Sequence, residues 1–361
     1  MELQTYQIGP YLPAFSPEQQ VKAGQGQLAV QDGENFIWNA RGVQSAFGEW
    51  DRCTGAPAPS RHPSVQWLKN EAYHFMLDGV YQCDPAGGWE LVFPYERTCQ
   101  HAVYDHTLYK WTYAYVGTRH WFSQPEVPYL VWYDEHQDEW GTYRDDCWNG
   151  CIYGITHADN RLVVLLEDTV VWSQFDYGDL TKCDWFTGAG AQSLALVRYG
   201  QPYTVMPYNN GWLTFTSMGV MLSTPERGQL LDPDGSRVMM GAIVFHHEEA
   251  TFDHVAVGPA AIEHMDEKVV VWVTPQGFTQ FTATQGGGFG AVQPFQAEMS
   301  RFYSETVIPQ TERGRPLIDA FNLEFLRDEN WLMVSSRRAD EIGYTRAHVF
   351  QRELERWGTF V

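Results

Sequence analysis

The sequence lacks any run of about 18 uninterrupted apolar residues, the length that a transmembrane helix requires. Residues 1–5 carry neither the basic nor the apolar segment of a secretory signal. We therefore expect a protein without a membrane segment that is assembled in the cytoplasm.

Basic residues are scarce. The chain has 24 Lys and Arg against 45 Asp and Glu, a net charge of -21, and proteins that grip nucleic acid need clustered cations. This balance argues against a protein that binds the phosphate backbone of nucleic acid. The surplus of acids leaves three roles open: solubility, attraction of a cationic partner, or a surface that does not adhere to a polyanion.

Charged residues of either sign make up only 19% of the chain, while aromatic residues make up 15%. Helical proteins usually carry more charged residues on their surfaces, and aromatic side chains favour strands. The 32 Gly and 19 Pro are consistent with frequent turns. The composition predicts an all-β protein.

The six cysteines include no Cys-x-x-Cys pair. Such usage favours free buried thiols over a disulfide framework. Cys147 and Cys151 lie close enough in sequence to close a small disulfide loop or to give two thiolates to zinc. No second pair has suitable spacing, so we expect thiols here as well.

Apolar or alternating runs recur in pairs around short turns, a pattern that predicts β-hairpins. The clearest are 162–166 with 169–172, 213–216 with 220–222, and 269–274 with 277–278, where Gly277 is suited to a left-handed turn position. The run 162–166 is typical of a strand covered on both faces. Weaker copies lie at 28–38, 73–81, 108–115 and 331–334.

A second repeat connects distant parts of the chain. Residues 132–143 align without gaps on 349–360, and both copies end in Trp-Gly-Thr followed by an aromatic residue; residues 80–91 form a looser third copy. A Trp-led outer strand after a charged hairpin is typical of the end of a propeller blade. We assign structural roles within blades to Trp140, Gly141, Thr142, Trp357, Gly358, Thr359, Trp172, Trp185 and Trp272.

These patterns predict a β-propeller of about seven four-stranded blades, spaced roughly 40 to 65 residues apart. Pairing of N- and C-terminal strands would close it, with 28–38 completing the blade that Trp357 ends. An open β-sandwich is the alternative. We expect residues 1–26 to form an N-terminal arm, with one or two helical turns within 16–24, and residues 27–361 to form the propeller domain.

No cluster carries a recognisable catalytic or metal motif. His246, His247, Glu248 and Glu249, with His254 and His264, are the densest group of metal-ligand types, but adjacent residues on a strand point to opposite faces. We expect an exposed polar loop there. Ser173 to Gly178 departs from the Asp-box of sialidases, and Gly286 to Gly290 lacks the Lys of a phosphate loop. We predict no catalytic, metal or cofactor-binding residues and no enzymatic activity.

Several segments resemble tail-tube and nozzle proteins of short-tailed bacteriophages. Residues 161–164 and 170–173, followed by Gly178, Asp179 and Trp185, resemble a blade motif of that family. Residues 33–36 and 42–48 are similar to its N-terminal strand, and 350–360 resemble its last blade.

The resemblance implies a structural virion protein of a phage tail, a nozzle or hub. It implies a homo-oligomeric ring, expected to be a hexamer, that contacts an adaptor and a tail fibre or spike. DNA would pass through an acidic lumen without specific binding during ejection. The alternative is a β-propeller that binds or cleaves glycans, with exposed Trp and Tyr as sugar platforms.

Overall fold

The protein is an all-β propeller of six antiparallel four-stranded blades. The computed structural model describes residues 11–13, 28–30, 36–39, 42–45, 64–69, 71–83, 88–96, 108–146, 148–174, 186, 192–196, 198–227, 230–231, 237–238, 243–282, 290–295, 317–327, 329–337, 344, 346–353 and 356–360. Within this part of the chain, no helix is long and apolar enough to cross a membrane.

Four short strands precede the blades: β1 (Tyr11–Pro13), β2 (Leu28–Val30), β3 (Phe36–Asn39) and β4 (Gly42–Ser45). The first blade contains β5 (Ser64–Leu68), β6 (Glu71–Phe75), β7 (Gly79–Cys83) and β8 (Trp89–Pro94). The second contains β9 (Thr112–Val116), β10 (Arg119–Ser123), β11 (Leu130–Asp134) and β12 (Glu139–Tyr143). The third contains β13 (Gly154–Ala158), β14 (Arg161–Leu165), β15 (Thr169–Trp172) and β16 (Gln192–Ala195).

The fourth blade contains β17 (Pro202–Tyr208), β18 (Gly211–Thr216), β19 (Gly219–Arg227) and β22 (Ile243–Thr251), with the small hairpin β20 (Leu230–Leu231) and β21 (Arg237–Val238) inserted before its last strand. The fifth contains β23 (Ile262–Asp266), β24 (Val269–Thr274), β25 (Gly277–Thr282) and β26 (Ala291–Pro294), and a 3₁₀ turn, Pro259–Ala261, leads into it. The sixth contains β27 (Phe321–Leu326), β28 (Trp331–Ser336), β29 (Arg346–Gln351) and β30 (Arg356–Phe360).

In the second to sixth blades, the first strand lies towards the centre of the ring. The innermost strands β9, β13, β17, β23 and β27 contact one another in that order. Because each blade runs outward from its first strand, all innermost strands share one direction. Polar groups at corresponding positions of different blades are thereby brought together.

The prediction of about seven blades is wrong, because the chain forms six. The seventh unit was the hairpin predicted at 28–38. Instead, β2 pairs in parallel with β1, and β3 pairs with β4 and with the outer strand of the sixth blade. The turn signal in this segment is local, and it does not specify which strands pair with β2 and β3.

The expected closure of the ring stays a prediction. A single residue pair, Phe36 with Thr359, joins β3 to β30. All four strands of the sixth blade come from the C-terminal segment, and β3 and β4 extend its outer edge. The helical turns expected within 16–24 lie outside the described residues.

The continuous apolar runs reflect two buried faces on each central blade. Along β14, every residue is buried. Leu162 and Val164 pack towards the second blade, and Val163 and Leu165 pack towards the fourth. Successive side chains of a strand point to opposite faces. A strand between two blades therefore needs apolar residues at every position.

Five hydrophobic clusters follow from this arrangement, one between each pair of blades from the first to the sixth. The described part of the chain contains no such cluster between the sixth and first blades. On the open face of the first blade, Val65, Trp67 and Leu91 are 46%, 70% and 45% exposed. This face, which also carries His74 and Trp89, is called the first-blade face below.

Both copies of the gapless repeat form the third and fourth strands of a blade. Trp140 pairs with Tyr133 in one copy, and Trp357 pairs with Phe350 in the other. The two copies have the same spacing in the sequence because their strands pair in the same register. A Cβ at Gly141 would overlap the Trp132 ring across the strands, so glycine is required at this position.

The predicted hairpins at 162–172, 213–222 and 269–278 are present. The turn from β13 to β14 places Asp159 and Asn160 at φ values of 47° and 55°, which Asp and Asn tolerate better than other residues with a Cβ. Gly277 has a φ of 144°, a conformation that strongly favours glycine. Apolar and polar residues alternate along 213–216, and all of β18 is buried because both its faces are covered.

Replacement of Trp140 by Ala tests the packing between the first two blades. The half-buried Trp140 ring lies 5.5 Å from the Tyr73 ring and 6.0 Å from the Phe93 ring, both in the first blade. We expect Trp140→Ala to lower the free energy of unfolding by about 2 to 3 kcal/mol, less than a fully buried Trp. Chemical denaturation measures this, with the exposed Trp67→Ala as the control. Equal effects of both substitutions would contradict the packing described.

Candidate functional site

Lys110 reaches across the centre of the ring. It lies just before β9 in the second blade, and its Nζ donates hydrogen bonds to the backbone oxygens of Ile262 at 2.9 Å and Leu323 at 2.6 Å. It also pairs with the Glu263 carboxylate at 2.8 Å. One side chain thus connects the second, fifth and sixth blades and occupies the centre at this level.

Glu263 is the counter-ion of Lys110. Burial alone would raise the pKa of its carboxyl, but the Lys110 charge and a hydrogen bond involving His264 outweigh burial and lower that pKa to about 2. The carboxyl of Glu324, near the same pair, has a raised pKa because of burial, and the Glu263 charge adds to the rise. The centre therefore holds the Lys110–Glu263 ion pair and the Glu324 carboxyl, which protonates more readily than an ordinary glutamate side chain.

A second group of polar side chains lies towards the far end of the innermost strands. The Arg327 guanidinium, just after β27, donates a hydrogen bond to His264 Nε2 at 2.8 Å. His264 Nδ1 lies 3.4 Å from Glu263 Oε1. A guanidinium can only donate, so His264 Nε2 is the acceptor of this hydrogen bond. A continuous chain thus links Lys110, Glu263, His264 and Arg327.

His157 and Tyr113 complete what we call the central cluster, which comprises Tyr113, His157, His264 and Arg327. Burial lowers the pKa of His157, and the His264 and Arg327 charges lower it further against the opposing Glu267 carboxylate. Burial raises the pKa of Tyr113 to about 12, although the Arg327 charge opposes this rise. The four side chains come from four different blades.

Tyr113 is the first member of a hydrogen-bonded triad. Its hydroxyl lies 2.9 Å from His120 Nδ1, and His120 Nε2 lies 2.8 Å from a Glu135 carboxylate oxygen. Burial lowers the pKa of His120, partly offset by Glu135. A neutral His120 that donates to Glu135 through Nε2 accepts a hydrogen bond from the Tyr113 hydroxyl at Nδ1. The triad fixes the Tyr113 hydroxyl in place within the second blade.

The histidine-rich segment is not the exposed loop that the sequence indicated, because His246 to Glu249 lie in β22, the outer strand of the fourth blade. His247 lies 2.8 Å from the Ser223 hydroxyl and 5.4 Å from the Trp172 ring, whereas His246 is exposed. Among the residues that the structure describes, no three His, Cys, Asp or Glu side chains are placed to hold a metal ion.

The assigned blade residues are spread over the sheets. Trp172 and Trp272 are fully buried between blades, and Trp272 Nε1 donates to the His254 oxygen at 2.7 Å. Trp140, Gly141 and Thr142 lie in β12. Trp357, Gly358 and Thr359 lie in β30, of which only the backbone is described, and Trp185 lies outside the described residues.

The expectation of free thiols is wrong for Cys151, which is disulfide-bonded. Its partner cysteine has no described side chain. Cys151 is fully buried and packs between the third and fourth blades.

Sequence reasoning missed the central cluster. His157 and His264 lie within the first strands of their blades, and Arg327 directly follows the first strand of its blade. That shared position is a usable signal, but it appears only once the blades are correctly divided. Nothing in the local sequence marks Lys110, because its partners are 152 to 213 residues away.

No protein family model and no curated protein matches the chain. Similar solved structures include a streptogramin B lyase (10% identity, TM-score 0.47, covering 84% of each chain). Others are U3-55K (9%, 0.46, covering 86% of this chain and 83% of the other) and the WD40 repeats of RRP9 (9%, 0.45, covering 86% and 82%). At such identities the similarity concerns the fold alone.

The Lys110–Glu263 pair predicts a pH dependence of stability. Since the pKa of Glu263 is about 2 in the folded chain and 4.5 ordinarily, its stabilisation is complete above 4.5 and is lost as the pH falls towards 2. We expect Glu263→Gln to cost on the order of 2 to 3 kcal/mol at neutral pH and progressively less below pH 4.5. Denaturant unfolding across this range measures the difference.

The matched control is Glu353→Gln, which removes an exposed carboxylate from the hairpin after β29. It should leave stability nearly unchanged at each pH. A cost of Glu263→Gln that does not vary with pH would contradict the ion-pair interpretation.

Proposed function

We propose that this protein is a non-enzymatic structural component of a bacteriophage tail, a nozzle or hub that assembles into a ring. The proposal rests first on the resemblance of residues 161–164 and 170–173 to a blade motif of that family. These residues supply the second and third strands of the third blade, at the middle of the propeller. Adaptor and tail fibre or spike proteins are the proposed partners.

The position of Lys110 limits where a conduit for DNA can lie. Its side chain occupies the centre of the propeller and bonds to the fifth and sixth blades, so we assign it a structural role at that level. DNA therefore does not pass through a single propeller. A conduit has to lie between copies of the chain, with the hexameric ring as the proposed assembly.

The net charge of -21 supports such a conduit. Carboxylates that face a lumen repel DNA phosphates, and no counterions are released to hold the DNA in place. DNA can then slide through the ring without specific binding.

Electron microscopy and native mass measurement of the full chain, alone and with extracts of a virion tail, test the proposal. We expect ring-shaped particles of several copies, and weak or undetectable binding of double-stranded DNA even at low salt. A monodisperse monomer under all of these conditions, with saturable sugar binding, would contradict the phage assignment.

A glycan-binding propeller is the second candidate, and the first-blade face favours it. The Trp67 ring is 70% exposed, and Trp89 lies on the same face with its ring 4.8 Å from His74. Exposed aromatic rings of this kind can stack on sugars.

Oligosaccharide titration followed by Trp fluorescence tests this second candidate. If sugars stack on Trp67, we expect Trp67→Ala to abolish saturable binding, whereas Tyr115→Ala, which removes an exposed aromatic from the second blade, leaves it intact. Absence of saturable binding by the unmodified protein would exclude this candidate.

A further inference from the structure

We propose that residues 54–63 of the chain bind across the first-blade face, and that this face recognises a proline-rich segment. The inference does not depend on the tail assignment. It gives an occupant to an apolar blade face that the described part of the chain leaves uncovered.

The first-blade face extends across all four strands of its sheet. Val65 pairs with His74, His74 with Tyr81, and Tyr81 with Leu91, so these four side chains form one row. Successive side chains of a strand alternate between faces, and this row lies on the face opposite the core shared with the second blade. None of the four is charged at neutral pH, since burial lowers the pKa of His74. Such a row on an acidic protein is suited to contact with an apolar chain segment.

Two tryptophans flank a low point beside this row. Trp67 in β5 pairs with Ala72 in β6, and Trp89 lies in β8 at the opposite edge of the sheet. The Trp67 ring is 70% exposed, and the Trp89 ring lies 4.8 Å from the His74 ring. Because neighbouring strands lie about 4.8 Å apart, the backbones of the two tryptophans are about 14 Å apart. Aromatic-lined surfaces of this kind are the ones on which polyproline II segments dock.

Residues 54–63 have the chemistry that such a surface binds. They read Thr-Gly-Ala-Pro-Ala-Pro-Ser-Arg-His-Pro. Each proline fixes its own φ and restricts the residue before it, which favours polyproline II and reduces the entropy lost on binding. The segment has no Asp or Glu and carries Arg61. The exposed Asp78, whose carboxylate lies 3.1 Å from the Tyr81 hydroxyl, borders the face and can attract that cation.

The sixth and first blades are neighbours in the ring. Lys110 donates a hydrogen bond to the Leu323 oxygen of the sixth blade at 2.6 Å. The ring of the next residue, Trp111, lies 4.8 Å from the Phe75 ring of the first blade. Two adjacent residues thus contact both blades, so the first-blade face borders the space between them.

Chain connectivity brings the segment to this space. Residues 46–63 lie outside the described residues and connect β4, the outer strand of the sixth-blade sheet, to β5. β5 is an edge strand of the first blade and carries Val65 and Trp67. At about 3.1 Å per residue, residues 57–63 span about 22 Å as polyproline II, more than the width of four strands, about 14 Å. The segment is therefore long enough to cross the face and is tethered beside it.

Hydroxyl-radical footprinting of the full chain, resolved to single residues by mass spectrometry, tests the proposal. The oxidation rate of Trp67 in the native chain is compared with its rate in the denatured chain. We expect several-fold protection of Trp67, whereas Tyr115, an exposed aromatic of the second blade, should show little. Absence of protection at Trp67 would overturn the proposal.

Two double substitutions identify the occupant. Pro57→Gly with Pro59→Gly removes the bias towards polyproline II, so we expect the oxidation of Trp67 to rise several-fold. Thr54→Gly with Ser60→Gly adds as many glycines but keeps every proline, and should leave Trp67 protected. Equal effects of both changes would refute the proposal. Protection that survives the loss of both prolines would also refute it, because another occupant, such as a second copy of the chain, then covers the face.

A synthetic peptide of residues 54–63 tests recognition without the tether. We expect saturable binding to the Pro57→Gly, Pro59→Gly variant and about tenfold weaker binding to the unmodified chain, whose own segment competes. Adding Trp67→Ala to the variant should abolish binding. No saturable binding to the variant would contradict the proposal. Saturable sugar binding at Trp67 of the unmodified chain would contradict it as well, because the face would then be free.

Discussion

The fold depends on the burial of both faces of a blade. A four-stranded sheet with one apolar face could be covered by a single partner, but the third, fourth and fifth blades carry apolar side chains on two faces and need a neighbour on each side. Val270 and Trp272 pack on the fourth blade, for example, while Val271 and Val273 pack on the sixth. This requirement places the blades side by side, and the short connections between them bend the row around a centre.

The same arrangement creates the polar centre. Innermost strands lie closest together where the blades converge, and their backbone groups and charged side chains are shielded there from bulk water. Buried polar groups are costly unless they have partners. Lys110 meets this requirement by satisfying two carbonyl oxygens and one carboxylate from two other blades. The chain of contacts from Lys110 to Arg327 thus combines a structural anchor with an exposed cation.

Much of the fold could be predicted from local sequence patterns. Runs such as 162–166 are apolar because both faces are covered, and the repeat of Trp140 and Trp357 reflects a register that recurs in two blades. The number of blades was not predicted correctly, because the local turn signal within 28–38 does not specify which strands pair with β2 and β3. The central cluster was missed for the same reason. Its residues lie far apart in the sequence, and only the ring brings the four together.

The open first-blade face has a consequence for how the molecule comes apart. With described apolar contacts only between successive blades, the propeller resembles a linear array of repeats more than a sealed circle. Among the described residues, apolar clusters flank the third and fourth blades on both sides and the first blade on one side. Amide hydrogens of β5 and β6 should therefore exchange with solvent earlier than those of β14 and β18, since local opening is cheapest where a unit has fewest neighbours. Local unfolding is then expected to begin at the first blade rather than at the innermost strands of the central blades.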